Sequence, residues 1–513
     1  MNKIHIYTGH KNTISAKPDE NLLSALSRHG IEIPAPCGGN GTCGKCAVHT
    51  SEGIKLACQT PATDGMEVYP PQSGDKDFVI LDSYESVRPF AYDRDSGYGI
   101  AIDIGTTTLA FELISMATGR RICSHSTANS QRAIGADVVT RIKQATQGAQ
   151  TQLHAYIIED IRQGIAHILK KTNLLPSTVN FVSIAGNTTM LHLLQNMPCD
   201  TLGVFPFTPV DIGMKQCDFA EVFGSTPVMG DTDKNNSNCD CSAMHSGQID
   251  AELLLLPGIS TFVGADISAG ILCCANTDDT RPNLLIDLGT NGEMALFTND
   301  RVLVTSTAAG PAFEAGNISM GVASIPGAVA KARYCPENNV FICETINNRP
   351  PIGICGTGVV DIAAELIRNN LADETGRLED EYFDDGVIIA EGIIFTQKDM
   401  REIQLAKSAV RSGIEILLDV AGYGYNDIGH VYLAGGFGHR INMDSAVALG
   451  LIPPHLADKI VTVGNTSLGG AAHVLLSRLA ESDIKAIVNR AEEINLSTHP
   501  RFNDLFMEHM MFE

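Results

Sequence analysis

No tryptophan occurs among the 513 residues, an absence that removes nothing a fold of this size requires. No apolar run approaches 18 residues, which argues against a membrane-spanning helix. The opening MNKIHIYTGH lacks the basic patch and apolar core of a signal peptide, so the protein is expected in the cytoplasm. There is no Lys/Arg-rich block: 36 basic residues face 59 acidic ones, for a formal net charge of −23. That balance disfavours nucleic acid and anionic membrane as partners, because both reward positive charge. It suits docking to a protein that presents a basic patch. Also missing are G-x4-GK[ST] and a G-x-G-x-x-G after a strand, so P-loop and Rossmann readings have no anchor.

Cysteine, by contrast, is abundant, with 14 residues. Cys37, Cys43, Cys46 and Cys58 stand in APCGGNGTCGKC and KLACQT with the spacing C-x5-C-x2-C-x11-C. Three ligands close together on a glycine-rich loop and one arriving later are what a ferredoxin-type [2Fe–2S] cluster needs. Its sulfides and thiolates concentrate negative charge that backbone N–H groups must approach closely. Gly38, Gly39, Gly41 and Gly44 remove the Cβ atoms that would block that approach. Plant-type spacing has four residues in the first gap, where this chain has five. A structural zinc site would instead pair its ligands as two C-x2-C knuckles. The remaining cysteines follow no disulfide framework, and free thiols beside an oxidisable cluster suit a reducing cytosol. Cys239-Asp-Cys241 and Cys273-Cys274 could bind metal, though small buried or loop cysteines are the commoner case.

The length implies two or three domains. Residues 1–72 read as a small α+β unit. Ile4 and Ile6 alternate in a strand, a turn follows at Gly9–Asn12, and Ile14 belongs to a second strand. Asp19 can cap a short helix whose Leu22, Ala25 and Leu26 share one face, with Gly30 past its end. The cysteine loop then leads to short strands near Cys46–His49 and Met66–Tyr69, the order of a β-grasp ferredoxin. Residues 73–97 read as a linker. From Gly99 strands alternate with amphipathic helices, and Leu153, Ile157, Ile161, Ile165 and Ile168 predict a helix around 150–171. The Asp/Asn/Ser-rich stretch 230–247 reads as a surface loop or insertion.

An internal repeat decides the architecture of 98–513. Ile100–Phe111 reads IAIDIGTTTLAF and Leu285–Phe297 reads LIDLGTNGEMALF, with their aspartates 184 positions apart. One D-x-G-T is common by chance, but two, each after a strand pattern and one domain apart, are specific. A tight strand–Gly–strand turn exposes N–H groups to phosphate oxygens, and threonine hydroxyls add donors. The carboxylate ending each first strand can position Mg²⁺ or orient an attacking water. Asp103, Gly105, Thr106 and Thr107 would form one phosphate loop; Asp287, Gly289, Thr290 and Asn291 would form the other. A β-hairpin with an Asx turn is the bland alternative for either loop alone. Glu293, on the strand after the second loop, is a weaker candidate that a solvated strand carboxylate would explain equally well. Val431–Arg440, VYLAGGFGHR, adds a strand followed by Gly435 and Gly436, which would let backbone lie against adenine and ribose. The small-residue stretches 264–272 and 467–476 fit close helix–helix contact between two lobes.

This ordered set resembles the acetate kinase/sugar kinase/Hsp70/actin superfamily: a two-lobed α/β ATPase with a ribonuclease H-like repeat, lobe 1 about 98–262 and lobe 2 about 263–513. Joined to a ferredoxin domain, it resembles the reductive activators of corrinoid-dependent methyltransferases. SIAGNTTMLHLL (183–194), GPAFEAGNISMG (310–321), ICGTGVVD (354–361) and REIQLAKSAVRSGIEIL (401–417) carry that resemblance, which spans 1–72 and about 98–513. Relative to longer members, Cys58 follows Cys46 sooner and the linker runs almost directly into the ATPase.

The resemblance implies ATP-dependent one-electron reduction of an inactive Co(II) corrinoid methyl-carrier protein to Co(I). Cys37, Cys43, Cys46 and Cys58 would hold the [2Fe–2S] cluster, and Asp103 and Asp287 would organise Mg²⁺ and water. Gly105, Thr106, Thr107, Gly289, Thr290, Asn291, Gly435 and Gly436 would hold ATP. It further implies an upstream low-potential electron donor and a homodimeric arrangement. Rival readings are a small-molecule kinase with a redox-sensing domain and a nucleotide-gated scaffold whose cluster is only structural. Activators of hydroxyacyl-CoA dehydratases are nearer rivals, but they bind a cluster between subunits through ATPase-domain cysteines.

Overall fold

A computed structural model describes residues 2–512 apart from 8–10, 19, 30, 32, 34–45, 51–52, 70–83, 87–92, 95–96, 225–247, 277–278, 290 and 439–440. Asp19, Gly30, Cys37, Cys43, Thr290 and the 230–247 stretch therefore lie outside the described residues.

The N-terminal unit contains β1 (Asn2–Tyr7), β2 (Lys11–Ala16), α1 (Leu22–Arg28), β3 (Ala47–Thr50), β4 (Gly53–Leu56) and β5 (Glu67–Tyr69). Its sheet has the order β2-β1-β5-β3-β4, with β1 and β5 parallel and the other neighbours antiparallel. Ile4 and Ile6 point from β1 into a small core with Leu22, Leu26, Val48 and Val68. The cap of α1 is Asn21, whose Oδ1 accepts the Ser24 N–H at 2.8 Å. The helix begins at Leu22, so the capping position falls two residues later than the expected Asp19.

The rest of the chain builds two six-stranded sheets that share a five-strand core topology, with two smaller sheets in the second half. The first contains β6 (Tyr98–Ile104), β7 (Thr108–Ser115), β8 (Arg121–Ala128), β9 (Val179–Gly186), β10 (Lys215–Asp218) and β11 (Glu252–Leu255), in the order β10-β11-β9-β6-β7-β8. The second contains β12 (Asn283–Leu288), β13 (Gly292–Phe297), β14 (Val302–Thr307), β15 (Val431–Ala434), β16 (Ile460–Gly464) and β17 (Ala491–Glu493), in the order β16-β15-β12-β13-β14-β17. In each, three strands form an antiparallel meander, and two later strands join parallel to the first. Asp103 pairs with Ala185 across the parallel boundary, and Asp287 pairs with Ala434. The duplication read from two aspartates thus extends to whole strands.

Helices fill matching places. α2 (Gln150–Thr172) buries the expected Leu153, Ile157, Ile161, Ile165 and Ile168, and is followed by β9 and α3 (Thr188–Leu194). α5 (Gln397–Ala421) precedes β15 as α2 precedes β9, while α4 (Ala265–Cys274) and α6 (Thr466–Leu476) each follow the fifth core strand of its sheet. α4 and α6 cross in close contact. A Cβ on Gly470 would stand 2.1 Å from the Ala269 carbonyl oxygen, so only glycine permits this approach. Gly470→Val is expected to lower stability by about 1–3 kcal/mol through overpacking, measured as a shift of the thermal midpoint.

Part of the linker is a strap across this crossing. Tyr84 bridges Gly464 at the edge of β16, and the Glu85 N–H donates to the Val463 carbonyl. The Tyr84 hydroxyl donates to Glu112 Oε2 at 2.8 Å, and the Arg121 guanidinium lies 4.5 Å over its ring. The ring rests against Gly469 of α6 and is thereby tied to both sheets. Further along, Asp93 accepts the Arg478 N–H, and Arg94 pairs with Glu481.

Candidate functional site

The equivalent ends of β6 and β12 carry the two expected aspartates. Asp103 is held from the second sheet: Asn465 Nδ2 donates to Oδ2 at 2.9 Å, and Ser467 Oγ donates to Oδ1 at 2.7 Å. Asn465 caps α6 and Ser467 lies in its first turn, so Asp103 fastens that helix to the first sheet. Burial still raises its pKa, with those two hydrogen bonds opposing.

Asp287 lies beside Gly435, whose φ is +87°. A Cβ there would come 2.6 Å from Asp287 Oδ1, so the left-handed glycine at the end of β15 makes room for the carboxylate. Burial, then the charges of Asp266, Asp103 and Glu314, push the Asp287 pKa up to about 7. Asp266, in the first turn of α4, is likewise pushed up by burial and by Asp103. Glu293 is held well above the usual range by burial and by Asp266 and Asp287. It belongs to the same acidic cleft rather than to a solvated strand face.

Asp266 and Glu314 were not anticipated from sequence. Asp266 is the one charge in an otherwise apolar helix, and Glu314 lies in the GPAFEAGN segment. Among the described residues no three such side chains are gathered closely enough to enclose a metal by themselves. Mg²⁺ fits this donor set, because it takes one or two carboxylates and completes its octahedron with water and phosphate. Burial raises the pKa values of Asp103, Asp266, Asp287 and Glu293, and for the last three neighbouring carboxylates add to it. Each of these groups binds a proton more tightly folded than unfolded, so stability falls as pH rises from about 4 to about 7. Melting curves of the nucleotide-free protein should show that decline, and saturating Mg-nucleotide should flatten it.

The first loop is organised from behind. Asn129 Nδ2 donates to the Gly105 carbonyl at 2.9 Å, and the Asn129 N–H donates to the Thr107 carbonyl at 3.0 Å. Asn187 Nδ2 donates to Thr106 Oγ1 at 3.1 Å, while its Oδ1 accepts the Met190 N–H and fixes the amide orientation. In the second loop the Gly289 N–H donates to the Asn291 carbonyl, and the Asn291 side chain bonds Glu293; Thr290 lies outside the described residues. Gly436 has open space on its Cβ side, at the start of the turn after β15. Ala185-Gly186-Asn187 at the end of β9 is the counterpart of Ala434-Gly435-Gly436 at the end of β15.

In the N-terminal unit, Cys46 and Cys58 are buried with their sulfurs 3.2 Å apart, beyond the ~2.05 Å of a disulfide. Two thiolates bound at about 2.3 Å to one tetrahedral metal stand roughly 3.7 Å apart, so the pair fits a shared metal. Cys37 and Cys43 lie outside the described residues. Cys273 and Cys274 are buried within α4.

Carboxylates gathered between two sheets with the same five-strand core, together with a β-grasp unit, define a ferredoxin-linked ATPase of the actin/sugar kinase/Hsp70 class. Comparison with known proteins gives the family. Residues 6–63 match the 2Fe-2S iron-sulfur cluster binding domain, 98–278 the RACo middle region, and 281–513 the C-terminal ASKHA domain of RACo. The chain belongs to the RACo family. The two RACo regions meet between 278 and 281, just after α4. The "Corrinoid activation enzyme RamQ" of Eubacterium limosum is 28% identical over 96% of both chains. A "[Co(II) methylated amine-specific corrinoid protein] reductase" of Methanosarcina barkeri is 27% identical, over 80% of this chain and 76% of its own. The solved "Reductive activator for corrinoid,iron-sulfur protein" superposes with a TM-score of 0.69 at 23% identity, covering 100% of this chain and 98% of that one. This last likeness concerns the fold.

Proposed function

We propose that this protein returns an inactive Co(II) corrinoid methyl-carrier protein to Co(I), one electron at a time, at the expense of ATP. The carrying observation is the match over 96% of both chains with a corrinoid activation enzyme, ferredoxin unit included. When bound, the [2Fe–2S] cluster supplies a one-electron donor; plant-type clusters sit near about −400 mV, and each ~59 mV uphill costs tenfold.

The chain's own residues supply the rest. Asp287, with Asp266 and Glu293 nearby, holds the Mg²⁺ of the nucleotide and orients the attacking water. Thr106, Thr107, Gly105, Gly289, Thr290 and Asn291 hold the phosphates, and Gly435 and Gly436 face the adenosine. Asp103 links closure of the cleft to α6 through Asn465 and Ser467. Because Tyr84 rests on α6 and bonds Glu112, that movement reaches the linker leading to the ferredoxin unit. ATP can drive the reaction only if its bound and hydrolysed states differ in affinity for the corrinoid partner.

Among the described residues no helix is long and apolar enough to cross a membrane, and a cytoplasmic location agrees with the buried thiols of Cys199, Cys273, Cys274 and Cys355. An upstream low-potential electron donor and a homodimer complete the reading. The test is ATP turnover with and without a Co(II) corrinoid carrier. Phosphate release stimulated at least about tenfold by the Co(II) form, and not by a sugar or carboxylic acid, is expected. Phosphorylation of a small molecule would establish the kinase instead.

A further inference from the structure

We infer that Arg141 is a positioning residue for the nucleotide's phosphates: from inside the first lobe it turns the Thr106–Thr107 peptide so that its N–H faces the cleft. This rests on the cleft being the ATP site.

Arg141 is wholly buried and among the largest such side chains in the protein. Its Nη2 donates to the Thr106 carbonyl at 2.5 Å and its Nε to the Gly135 carbonyl at 2.9 Å. Nη1 donates to Gln131 Oε1 at 3.2 Å and lies 3.0 Å from Met190 Sδ. No carboxylate is among these partners; Asp137 and Asp160 act on the guanidinium only through their charge, with Arg132 opposing. Burial is the main reason its pKa falls to about 9. A buried cation without a paired anion is costly to keep. A role confined to donating hydrogen bonds could be filled by a neutral amide. A cation here has the further effect of projecting positive potential through one peptide into the cleft.

The geometry directs that potential. In a planar trans peptide the C=O and N–H point in opposite directions. Arg141 draws the Thr106 carbonyl inward, and Asn129 does the same to the carbonyls of Gly105 and Thr107. The N–H groups of Thr106 and Thr107 are thereby turned outward, and among the described residues neither has a backbone acceptor. Asn187 donates to Thr106 Oγ1, which leaves the hydroxyl proton to be donated elsewhere. The loop thus keeps three donors for a ligand, the Thr106 and Thr107 N–H groups and the Thr106 hydroxyl, with a guanidinium on the carbonyl side of the Thr106–Thr107 peptide. The recognised chemistry is a phosphate chain rather than adenosine.

The experiment measures binding of MgATP, MgADP and adenosine to the full-length holoprotein and to Arg141→Gln and Arg141→Lys, by calorimetry with competition for weak ligands. Arg141→Gln should weaken both nucleotides by tenfold or more and change adenosine affinity less than twofold. Arg141→Lys keeps the charge but loses the planar fork, and should fall between wild type and Arg141→Gln. If Arg141→Gln fails to fold, Arg141→Lys carries the test on the same contrast between nucleotide and adenosine. Equal losses for all three ligands, or none, would overturn the assignment. A wild-type protein that binds no nucleotide would instead overturn the ATP reading itself.

Discussion

Asp287→Asn is expected to reduce ATP turnover by about 10²–10⁴-fold, the range for removing a group that positions a proton or metal-bound water, while raising the melting temperature of the nucleotide-free protein. The two effects have one origin. Burial and the charges of Asp266, Asp103 and Glu314 hold the Asp287 pKa near 7, so the folded protein is strained by ionising it. Its ordinary value is 3.8; between there and about 7 the native state binds more protons than the unfolded state. Stability from this group is thus lost as pH rises through that window. Asparagine removes the charge and with it this group's share of the pH dependence, leaving that of Asp103, Asp266 and Glu293. A merely structural aspartate would give the opposite result, with a lower midpoint and activity reduced only in proportion. Turnover assays and melting curves at pH 6 and pH 8 separate the two.

Cys58→Ser should abolish electron transfer and leave nucleotide binding within about twofold of wild type. Cys58 lies 3.2 Å from Cys46 in a small core, so a metal held by the pair would also contribute to folding. The variant should lose its visible iron–sulfur absorption, and the N-terminal unit should become the first part cleaved in limited proteolysis. The ATPase cores, built around separate sheets, should keep their melting transition. Retention of a reversibly reducible cluster in this variant would remove Cys58 from the ligand set.

The residues legible in the sequence are those whose chemistry demands a particular type at a particular spacing. Four cysteines with intervening glycines, and two Asp-x-Gly-Thr turns after apolar strands, announce themselves because few alternatives satisfy the same geometry. The small residues of α4 and α6 were equally readable, since close backbone approach needs them. Asp266 and Glu314 were hidden for the converse reason. A single carboxylate on a helix or loop has no local pattern, and it joins Asp287 only when the sheets are placed. The strap was hidden as well: Ser86 meets His473 and Arg94 meets Glu481, each 387 positions away. The repeat extends further than its two aspartates. Strand order shows that Ala185-Gly186 answers Ala434-Gly435, a correspondence too short to trust without the register.

ATP driving an electron onto corrinoid cobalt is the step on which the proposed function depends. Its most direct test is an anaerobic visible spectrum of a Co(II) corrinoid methyl-carrier protein mixed with this protein and a chemical reductant, with and without MgATP. Co(I) is expected only when ATP is present. Co(I) forming equally without ATP, or absent with ATP despite a reduced cluster and bound nucleotide, would contradict the account.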